Sequence, residues 1–198
     1  MSERVPLRER KQQRAREQIV RAAFELFAER GFADVTVTDI AERAEVGRTT
    51  FFRYFGDKQE VAFADEQAIV ESLTARHRAL PPVHDLAGAV AQIRGVVLEL
   101  CREFTADEDH FRAHLRLLRE NAELRDRAAR KFARLAEVFR ATLLDRGTPP
   151  LVAALAPQLG VACYLAGQDL AGDDPAALPG AVDAAFARLS ELAGPVPG

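Results

Sequence analysis

Arg48, Thr49 and Arg53 lie in one short stretch, and their side chains are suited to hydrogen bonding with a nucleic acid. An arginine can reach O6 and N7 of guanine with two hydrogen bonds, and a threonine offers a hydroxyl to a phosphate or a base. Phe52 lies between them and adds an aromatic edge that can rest on sugar and phosphate. These residues form one surface only if the element that carries them turns them all outward.

A helix with two phenylalanines on its opposite side meets that requirement. Phe51 and Phe55 are four positions apart, so a helix from Arg48 to Phe55 places both on the face that packs inward. Gly47 stands immediately before this helix and can act as its N-cap. The sequence therefore predicts a helix whose arginines and threonine face outward.

A second short helix is predicted just before the first. Thr36 and Asp39 have the spacing of a capping box, and Val35 and Ile40 are placed as a hydrophobic staple. The helix that starts at Thr36 should end near Glu45, which leaves a turn of about three residues, and two short helices joined so tightly form a helix-turn-helix. The run VTVT at 35–38 also has the alternation of a strand, but it is short and its sequel is helical.

Positive charge at two further places is suited to binding phosphate. Asp57 and Glu60 have the spacing of an N-cap, which puts Lys58 in the first turn of the next helix. There the ammonium and the free backbone N–H groups can hold one phosphate together. Residues 1–30 carry eight Arg and Lys against five Asp and Glu, although the whole chain has a net charge of −3. The alternative for this basic leader is a solvated tail that runs into an ordinary helix face.

The segment AAFELFAERGFADVTVTDIAERAEVGRTTFFRYFGDKQEV, within residues 16–65, resembles the TetR family of transcriptional regulators. Its typical features are LFAERGF, Thr36, the alanines and isoleucine of IAERA, Val46, Thr50, the aromatic cluster that ends at Phe55, and Lys58. The resemblance implies a three-helix DNA-binding domain, a larger helical domain that dimerises and binds a small effector, and a palindromic operator, usually bound by a repressor. It also implies DNA-facing positions at Arg48, Thr49, Thr50, Phe52 and Tyr54, with phosphate contacts from Thr36 and Lys58.

Three positions depart from the pattern that is common in the family. Glu45 stands in place of Gly, Gly47 in place of Ser, and Phe52 in place of Tyr. A positive φ at Glu45 would cost about 1 kcal/mol, whereas Gly47 caps a helix nearly as well as Ser does. Phe52 has no hydroxyl to donate to a phosphate, so any contact that it makes is apolar.

Helical periodicity continues beyond the helix-turn-helix. Apolar residues recur at three to four positions within 86–104, 124–139 and 178–192. One long helix is expected from Asp57 to the Pro81-Pro82 pair, and Gly147 and Pro175 mark later interruptions. The chain is therefore expected to be all-α, with about nine helices.

Two domains are expected. Residues 1–58 form the helix-turn-helix DNA-binding domain, in which residues 1–13 are a flexible basic leader. Residues 59–198 form the helical effector-binding and dimerisation domain. The partners that follow from this reading are a double-stranded DNA operator, a small-molecule effector and a second copy of the chain.

Small residues line one side of the helix expected over 151–171, and they recur at spacings of 3, 4 and 4. Such a stripe lets another helix approach closely, and the amphipathic helix over 176–193 is its natural companion. The candidate dimer interface consists of Gly160, Cys163, Gly167, Ala171, Val182, Phe186 and Leu189. These two helices suggest an intersubunit four-helix bundle, as the resemblance also implies, but close packing inside one subunit explains the stripe equally well.

Candidate effector contacts are polar or aromatic residues on otherwise apolar helical stretches: Phe104, Phe111, His114, Tyr164 and Gln168. For each of them a role in the core or at the surface is an alternative. The FFRYF form of the second helix is similar to that of actinobacterial TetR-like regulators, some of which sense acyl-coenzyme A. An acyl thioester or another lipophilic molecule is therefore one option for the effector.

Catalytic and metal-binding motifs are missing from the sequence. It contains no GxSxG, GxxxxGK, GxGxxG or HExxH, so we expect neither an enzyme nor a bound cofactor. His110 and His114 are four positions apart, but no third ligand is suitably spaced, and no metal site is expected. Cys101 and Cys163 lie 62 positions apart, and neither has a His or Cys beside it at the spacing of metal ligands. We therefore expect neither a disulfide framework nor a zinc cluster.

The cysteine usage fits a reducing, cytoplasmic setting. The sequence has no run of about eighteen uncharged apolar residues, so no contact with a membrane is expected. The rival function is an all-α interaction or adaptor protein without sequence-specific DNA binding. That alternative leaves the arrangement from Arg48 to Lys58 unexplained.

Overall fold

The computed structural model describes residues 7–192, with the side chains of 11–64 and 69–191. It contains ten α-helices and no strand over that range: α1 Leu7–Arg30, α2 Val37–Arg43, α3 Arg48–Tyr54, α4 Lys58–Ala62, α5 Ala64–Arg78, α6 Leu86–Phe104, α7 Glu108–Glu120, α8 Ala122–Asp145, α9 Pro150–Ala171 and α10 Leu178–Leu192. The prediction of an all-α chain is confirmed.

The expected helix from Asp57 to Pro81 is divided in the structure, which is why ten helices occur where about nine were expected. Phe63 separates α4 from α5 with a backbone at φ −116° and ψ 19°. Its N–H donates to the carbonyl oxygen of Glu60 at 3.1 Å, a tight turn rather than a continued α-helix. The Phe63 side chain is buried at this break.

The chain folds into two compact units. The first runs to Asp65 and also includes Arg116–Leu124, so the boundary expected at residue 58 lies inside this unit. Its core is built on α1, whose buried side chains include Ile19 and Leu26, together with Ile40 of α2. Helix α1 contacts both α2 and α4. This three-helix arrangement fixes the position of the short α3.

The basic leader is partly helical. Helix α1 begins at Leu7, so the second half of the expected flexible segment 1–13 belongs to a helix of 24 residues. Residues 1–6 lie outside the part of the chain that the structure describes. The leader from Leu7 onward is therefore the first part of α1.

The second unit comprises Glu66–Leu115 and the chain from Arg125 onward, and α9 lies at its centre. Helices α6 and α10 both pack on α9. A Cβ on Gly160 would lie 2.4 Å from Cγ2 of Ile93, and a Cβ on Gly167 would lie 2.6 Å from Cα of Val182. Contacts of this length leave no room for a side chain, so the two glycines allow the helices to approach closely.

The packing of α9 inside the chain uses part of the candidate dimer interface. Gly160, Cys163 and Gly167 face helices of the same chain, and Val182 and Phe186 are 0% and 1% exposed. Their side chains are used inside the subunit and are not offered to a partner. Ala171 and Leu189 are half-buried. Packing inside one subunit explains the stripe at Gly160 and Gly167, and the dimer contacts of Ala171 and Leu189 stay predictions.

The opposite side of α9 is apolar and exposed. Leu151, Leu155 and Leu165 are 71%, 40% and 42% exposed and lie on one stripe of the helix. By length and composition alone, helix α9 is long and apolar enough to cross a membrane, and 39% of its most apolar stretch is buried inside the protein. A core helix with a second apolar face has the same composition, and the buried face of α9 shows that it is a core helix.

Candidate nucleic-acid interface

The cap of α2 fixes the entry into the helix-turn-helix. The N–H of Asp39 donates to Oγ1 of Thr36 at 3.2 Å, and the N–H of Thr36 donates to Oδ2 of Asp39 at 2.8 Å. The predicted capping box is therefore confirmed. Hydrogen bonds from the hydroxyl and then the backbone of Thr36 hold the pKa of Asp39 below its ordinary value.

The turn between α2 and α3 depends on one residue with left-handed backbone. Glu45 has φ 54°, and the N–H of Val46 donates back to the carbonyl oxygen of Ala41 at 2.9 Å. Gly47 then caps α3 with extended backbone at φ −72° and ψ 149°. Val46 is half-buried, so the turn is held by its side chain as well as by the backbone bond.

Helix α3 presents its two faces as the sequence predicted. Phe51 is 0% exposed and Phe55 is 5% exposed, with their ring centroids 5.8 Å apart. The guanidinium carbon of Arg16 lies 5.6 Å from the centroid of the Phe55 ring. The exposed residues of the helix are Arg48, Thr49, Phe52 and Arg53. The Phe52 ring is 49% exposed and meets Phe51 edge-on, which holds an aromatic surface outward.

Two further positions implied by the family resemblance are less exposed. Thr50 and Tyr54 are half-buried in the structure. The guanidinium carbon of Arg53 lies 5.1 Å from the centroid of the Tyr54 ring, so the two side chains form a cation–π pair at the end of α3. The DNA contacts of Thr50 and Tyr54 stay predictions.

An ion-pair group that the sequence did not predict ties α2 to α1. Both terminal nitrogens of Arg43 donate to the two carboxylate oxygens of Glu29, at 2.9 and 2.8 Å, and one also lies 3.4 Å from Glu25. The hydrogen bonds from Arg43 lower the pKa of the Glu29 carboxyl. These residues are 14 and 18 positions apart, so no local pattern identifies the pair. The two-pronged geometry fixes the angle of α2 on α1.

Lys58 makes contacts inside the protein that the sequence did not predict, and its phosphate contact stays a prediction. The Asp57 cap of α4 is present, since the N–H of Glu60 donates to Oδ1 of Asp57 at 2.7 Å. The Lys58 ammonium, however, donates to the carbonyl oxygens of Phe32, Ala33 and Val35 at 2.7, 3.1 and 2.9 Å. An ammonium has three N–H donors, and all three are used within the protein. A phosphate contact from this nitrogen requires one of those bonds to break, so its first role is to hold the segment before α2.

The candidate effector residues lie on three helices of the second unit, α6, α7 and α9. Phe104 is half-buried and packs on the apolar core of that unit, while Phe111 is 5% exposed. Tyr164 is 6% exposed, and its ring centroid lies 5.2 Å from that of Phe132. His114 and Gln168 are half-buried. Their roles in effector binding stay predictions.

Both cysteines are free and buried. Burial raises the pKa of the Cys101 thiol to about 12 and also raises that of Cys163. They are protonated core residues at neutral pH. Within the described residues, no three His, Cys, Asp or Glu side chains are grouped to hold a metal ion.

Comparison with known proteins links the helix-turn-helix to a family. Residues 19–64 match the family model of bacterial regulatory proteins, tetR family. The HTH-type transcriptional regulator TcmR of Streptomyces glaucescens is 41% identical over 95 residues, which cover 46% of this chain and 42% of TcmR. The HTH-type transcriptional regulator BetI of Stenotrophomonas maltophilia is 32% identical over 153 residues, 71% of this chain and 78% of BetI.

A solved structure extends the likeness to the whole fold. Thermus thermophilus FadR, a TetR-family transcriptional repressor crystallised with lauroyl-CoA, has a TM-score of 0.53 and 24% identity. The alignment covers 92% of this chain and 99% of FadR. The helical second unit therefore has the same kind of fold as the corresponding part of FadR.

Proposed function

This chain belongs to the TetR family of bacterial regulatory proteins, and from that premise we propose that it is a homodimeric repressor with a palindromic DNA operator. A small-molecule effector bound in the second unit releases the operator. The protein acts on DNA in the cytoplasm. Two DNA-binding units related by a two-fold axis fit half-sites about one turn of the double helix apart.

The observation that carries this proposal is the outward face of α3. Arg48, Thr49 and Arg53 are exposed on a helix that Phe51 and Phe55 anchor from behind. The short α3 cannot be stable by itself, because isolated helices of seven residues are marginal in water. Its anchoring therefore fixes three polar side chains at one surface, as the major groove requires.

The test begins with selection of random duplex DNA on the purified protein at moderate salt, followed by sequencing of the retained DNA. A palindrome is the expected product. Arg48→Ala then weakens binding to that duplex by about 1–3 kcal/mol, because one guanidinium contact with a base is lost. Folding, followed by circular dichroism, stays unchanged.

Arg102→Ala is the matched control, since Arg102 is an exposed arginine on α6. It should bind the selected duplex as the parent protein does. Equal affinity for Arg48→Ala and the parent would remove Arg48 from the interface. Selection that returns no specific sequence would favour the adaptor alternative over the repressor.

The exposed stripe of α9 supports the homodimer. Leu151, Leu155 and Leu165 would remain in water in a single chain, and a second copy of α9 and α10 buries them. Leu155→Glu places a charge in that stripe and should convert the dimer to a monomer in sedimentation equilibrium. Leu86→Glu, at an exposed leucine that begins α6, is the control and should stay dimeric.

A lipophilic effector, with an acyl thioester as one form, is supported by the composition of the second unit. Its core is built mainly from aliphatic side chains. FadR of Thermus thermophilus, which shares the fold, was crystallised with lauroyl-CoA. A thermal-shift screen with lauroyl-CoA and related molecules tests this choice, because an effector that binds the folded state raises its unfolding midpoint.

A further inference from the structure

The second unit contains an apolar cluster contributed by four helices: Leu73 of α5, Ile93 and Leu100 of α6, Phe139 and Leu143 of α8, and Ala156 of α9. Each of these side chains is at most 5% exposed. The border of the cluster is less closed, since Leu144 and Val152 pack on it and are only half-buried. These partly exposed side chains are the ones that a lipophilic molecule entering the cluster would displace.

One titratable side chain is buried directly against this cluster. His77, in the last turn of α5, is 0% exposed. Its ring meets the ring of Phe139 edge-to-face, with centroids 4.8 Å apart and an interplanar angle of 89°. Burial, together with the nearby charge of Arg146, lowers the pKa of His77 to about 4, so the imidazole is neutral at pH 7.

The guanidinium of Arg146 determines which nitrogen of His77 carries the proton. One terminal nitrogen of Arg146 donates to the carbonyl oxygens of His77 and Leu80, each at 2.9 Å. The other donates to Oε1 of Gln92 at 2.9 Å and lies 3.3 Å from Nε2 of His77. A guanidinium only donates hydrogen bonds, so Nε2 accepts one, and the neutral ring carries its proton on Nδ1.

Two buried donors are then left without an acceptor. Nδ1 of His77 is buried and has no hydrogen-bond partner, and the same is true of Nε of Arg146. Buried polar groups are almost always paired in folded proteins, because an unpaired donor loses its hydration without compensation. The unpaired Nδ1–H of His77, on a ring that packs against Phe139 of the apolar cluster, fits an acceptor supplied from outside the chain.

We propose that His77 and Arg146 form the polar end of the effector site, and that the site takes a lipophilic molecule with a carbonyl or carboxylate oxygen. The apolar cluster receives the hydrocarbon part, and the oxygen accepts a hydrogen bond from Nδ1–H of His77, while Arg146 holds the tautomer in which that nitrogen carries the proton. This inference rests on the proposed function, since it names the ligand class of the same effector-binding unit. His77 and Arg146 were not among the residues that the sequence singled out.

The test uses three probes with the same twelve-carbon chain: laurate, methyl laurate and dodecylammonium. The first two present a carboxylate and a neutral carbonyl, and the third has a head that only donates and that the Arg146 charge repels. The chain has four histidines, so ¹⁵N-histidine labelling gives few imidazole signals, and the His77 signal is the one missing from His77→Phe. This measurement uses the full-length parent protein and needs no variant except for assignment.

Laurate or methyl laurate should shift the Nδ1–H resonance of His77, whereas dodecylammonium should leave it in place. A response to laurate alone assigns the site to carboxylates, and a response to both assigns it to carbonyl oxygens in general. Equal responses to all three probes, or no response to any, would overturn the proposal. Exchange of the Nδ1 proton of His77 with a bound water while an acceptor probe is present would overturn the proposal as well.

Affinity supplies a second readout. His77→Phe keeps a ring against Phe139 but removes the donor, so it should bind the acceptor probe about tenfold more weakly in a thermal-shift titration. His84→Phe changes an exposed histidine of the α5–α6 connection and should bind as the parent does. Both titrations are made without DNA. Failure of the ligand test therefore leaves the duplex selection intact, and failure of the selection leaves the ligand test intact.

Discussion

The ammonium nitrogen of Lys58 lies 2.7 Å from the carbonyl oxygen of Phe32 and 4.5 Å from the centroid of the Phe32 ring. The same side chain therefore binds both the backbone and the aromatic ring of one residue. Phe32 is buried between α1 and α2, and its ring centroid lies 4.9 Å from that of Phe27. Lys58 thereby links the start of α4 to the connection that leads into the helix-turn-helix.

This geometry predicts that Lys58→Met lowers the free energy of unfolding by about 2 kcal/mol, because charge-assisted hydrogen bonds to the carbonyls are lost. Urea denaturation measures the change. The salt dependence of duplex binding should keep its slope, since no phosphate contact is removed. Lys11→Met is the control, because Lys11 is exposed on α1 and should not affect stability.

A phosphate contact would give the opposite pattern for Lys58→Met. The slope of log affinity against log salt would fall by about one, and the free energy of unfolding would stay the same. The two measurements together therefore distinguish hydrogen bonds of Lys58 within the protein from a contact of Lys58 with DNA.

The turn of the helix-turn-helix is strained at Glu45. Its φ of 54° places a side chain in the left-handed region, which glycine adopts without penalty. Glu45→Gly should raise the free energy of unfolding by about 1 kcal/mol, measured by urea denaturation. The gain should appear without loss of duplex affinity, because the turn keeps its shape.

Glu42→Gly is the control for this substitution. Glu42 is exposed inside α2, where glycine has no strain to relieve and weakens the helix by about 1 kcal/mol. Equal changes in the free energy of unfolding for Glu45→Gly and Glu42→Gly would show that the backbone at position 45 carries no strain.

Most of the helix-turn-helix could be predicted from residues that are close together in the sequence. Thr36 and Asp39 of the capping box are three positions apart, and Phe51 and Phe55 are one helical turn apart, so the sequence suffices to predict both. The bonds of Lys58 join residues 23 to 26 positions apart, and only the folded chain brings them together. The contact of Arg146 with His77 spans 69 positions and has no sequence signature.

The two apolar faces of α9 show why the sequence alone does not locate the dimer surface. Gly160 and Gly167 lie on one face, and Leu151 and Leu155 lie on the other, so periodicity marks both faces as suitable for packing. Periodicity does not reveal whether a face meets its own chain or another. The break at Phe63 was missed for a similar reason, since α4 and α5 are both helical and no glycine or proline separates them.

Replacement by alanine should change the free energy of unfolding very differently at Gly167 of α9 and at Gly95 of α6. In Gly167→Ala the new Cβ would lie 2.4 Å from Cγ2 and 2.6 Å from Cα of Val182, and the backbone atom cannot move away easily. We expect a loss of about 3 kcal/mol in the free energy of unfolding, from overpacking and the helix shift that it forces. Thermal and urea denaturation measure this loss.

Gly95→Ala is the matched control within a helix. A Cβ on Gly95 of α6 would meet nothing within 4 Å, so alanine should stabilise the protein by about 0.5–1 kcal/mol through its helix propensity. Destabilisation of similar size by both substitutions would contradict the close approach of α9 and α10.

His77 predicts a pH dependence of stability with a definite sign. Its pKa in the folded protein is about 4, below the ordinary value of 6.5. Between these values the unfolded chain binds a proton that the folded chain does not, so the free energy of unfolding falls as the pH falls. The contribution of neutral His77 is complete above pH 6.5, and about 2 kcal/mol of it should be lost between pH 7.5 and pH 5.

The measurement is urea denaturation at several pH values from 7.5 to 5, a range above the pH at which the carboxyls of Asp39 and Glu29 titrate, since their pKa values are lowered. His77→Phe removes the titrating group and should lose most of the dependence, whereas His84→Phe should keep it. Parallel pH profiles for the parent and His77→Phe would contradict the neutral, buried imidazole. The test is independent of any ligand, because the effect comes from protonation of His77 in the unfolded chain and no ligand is added.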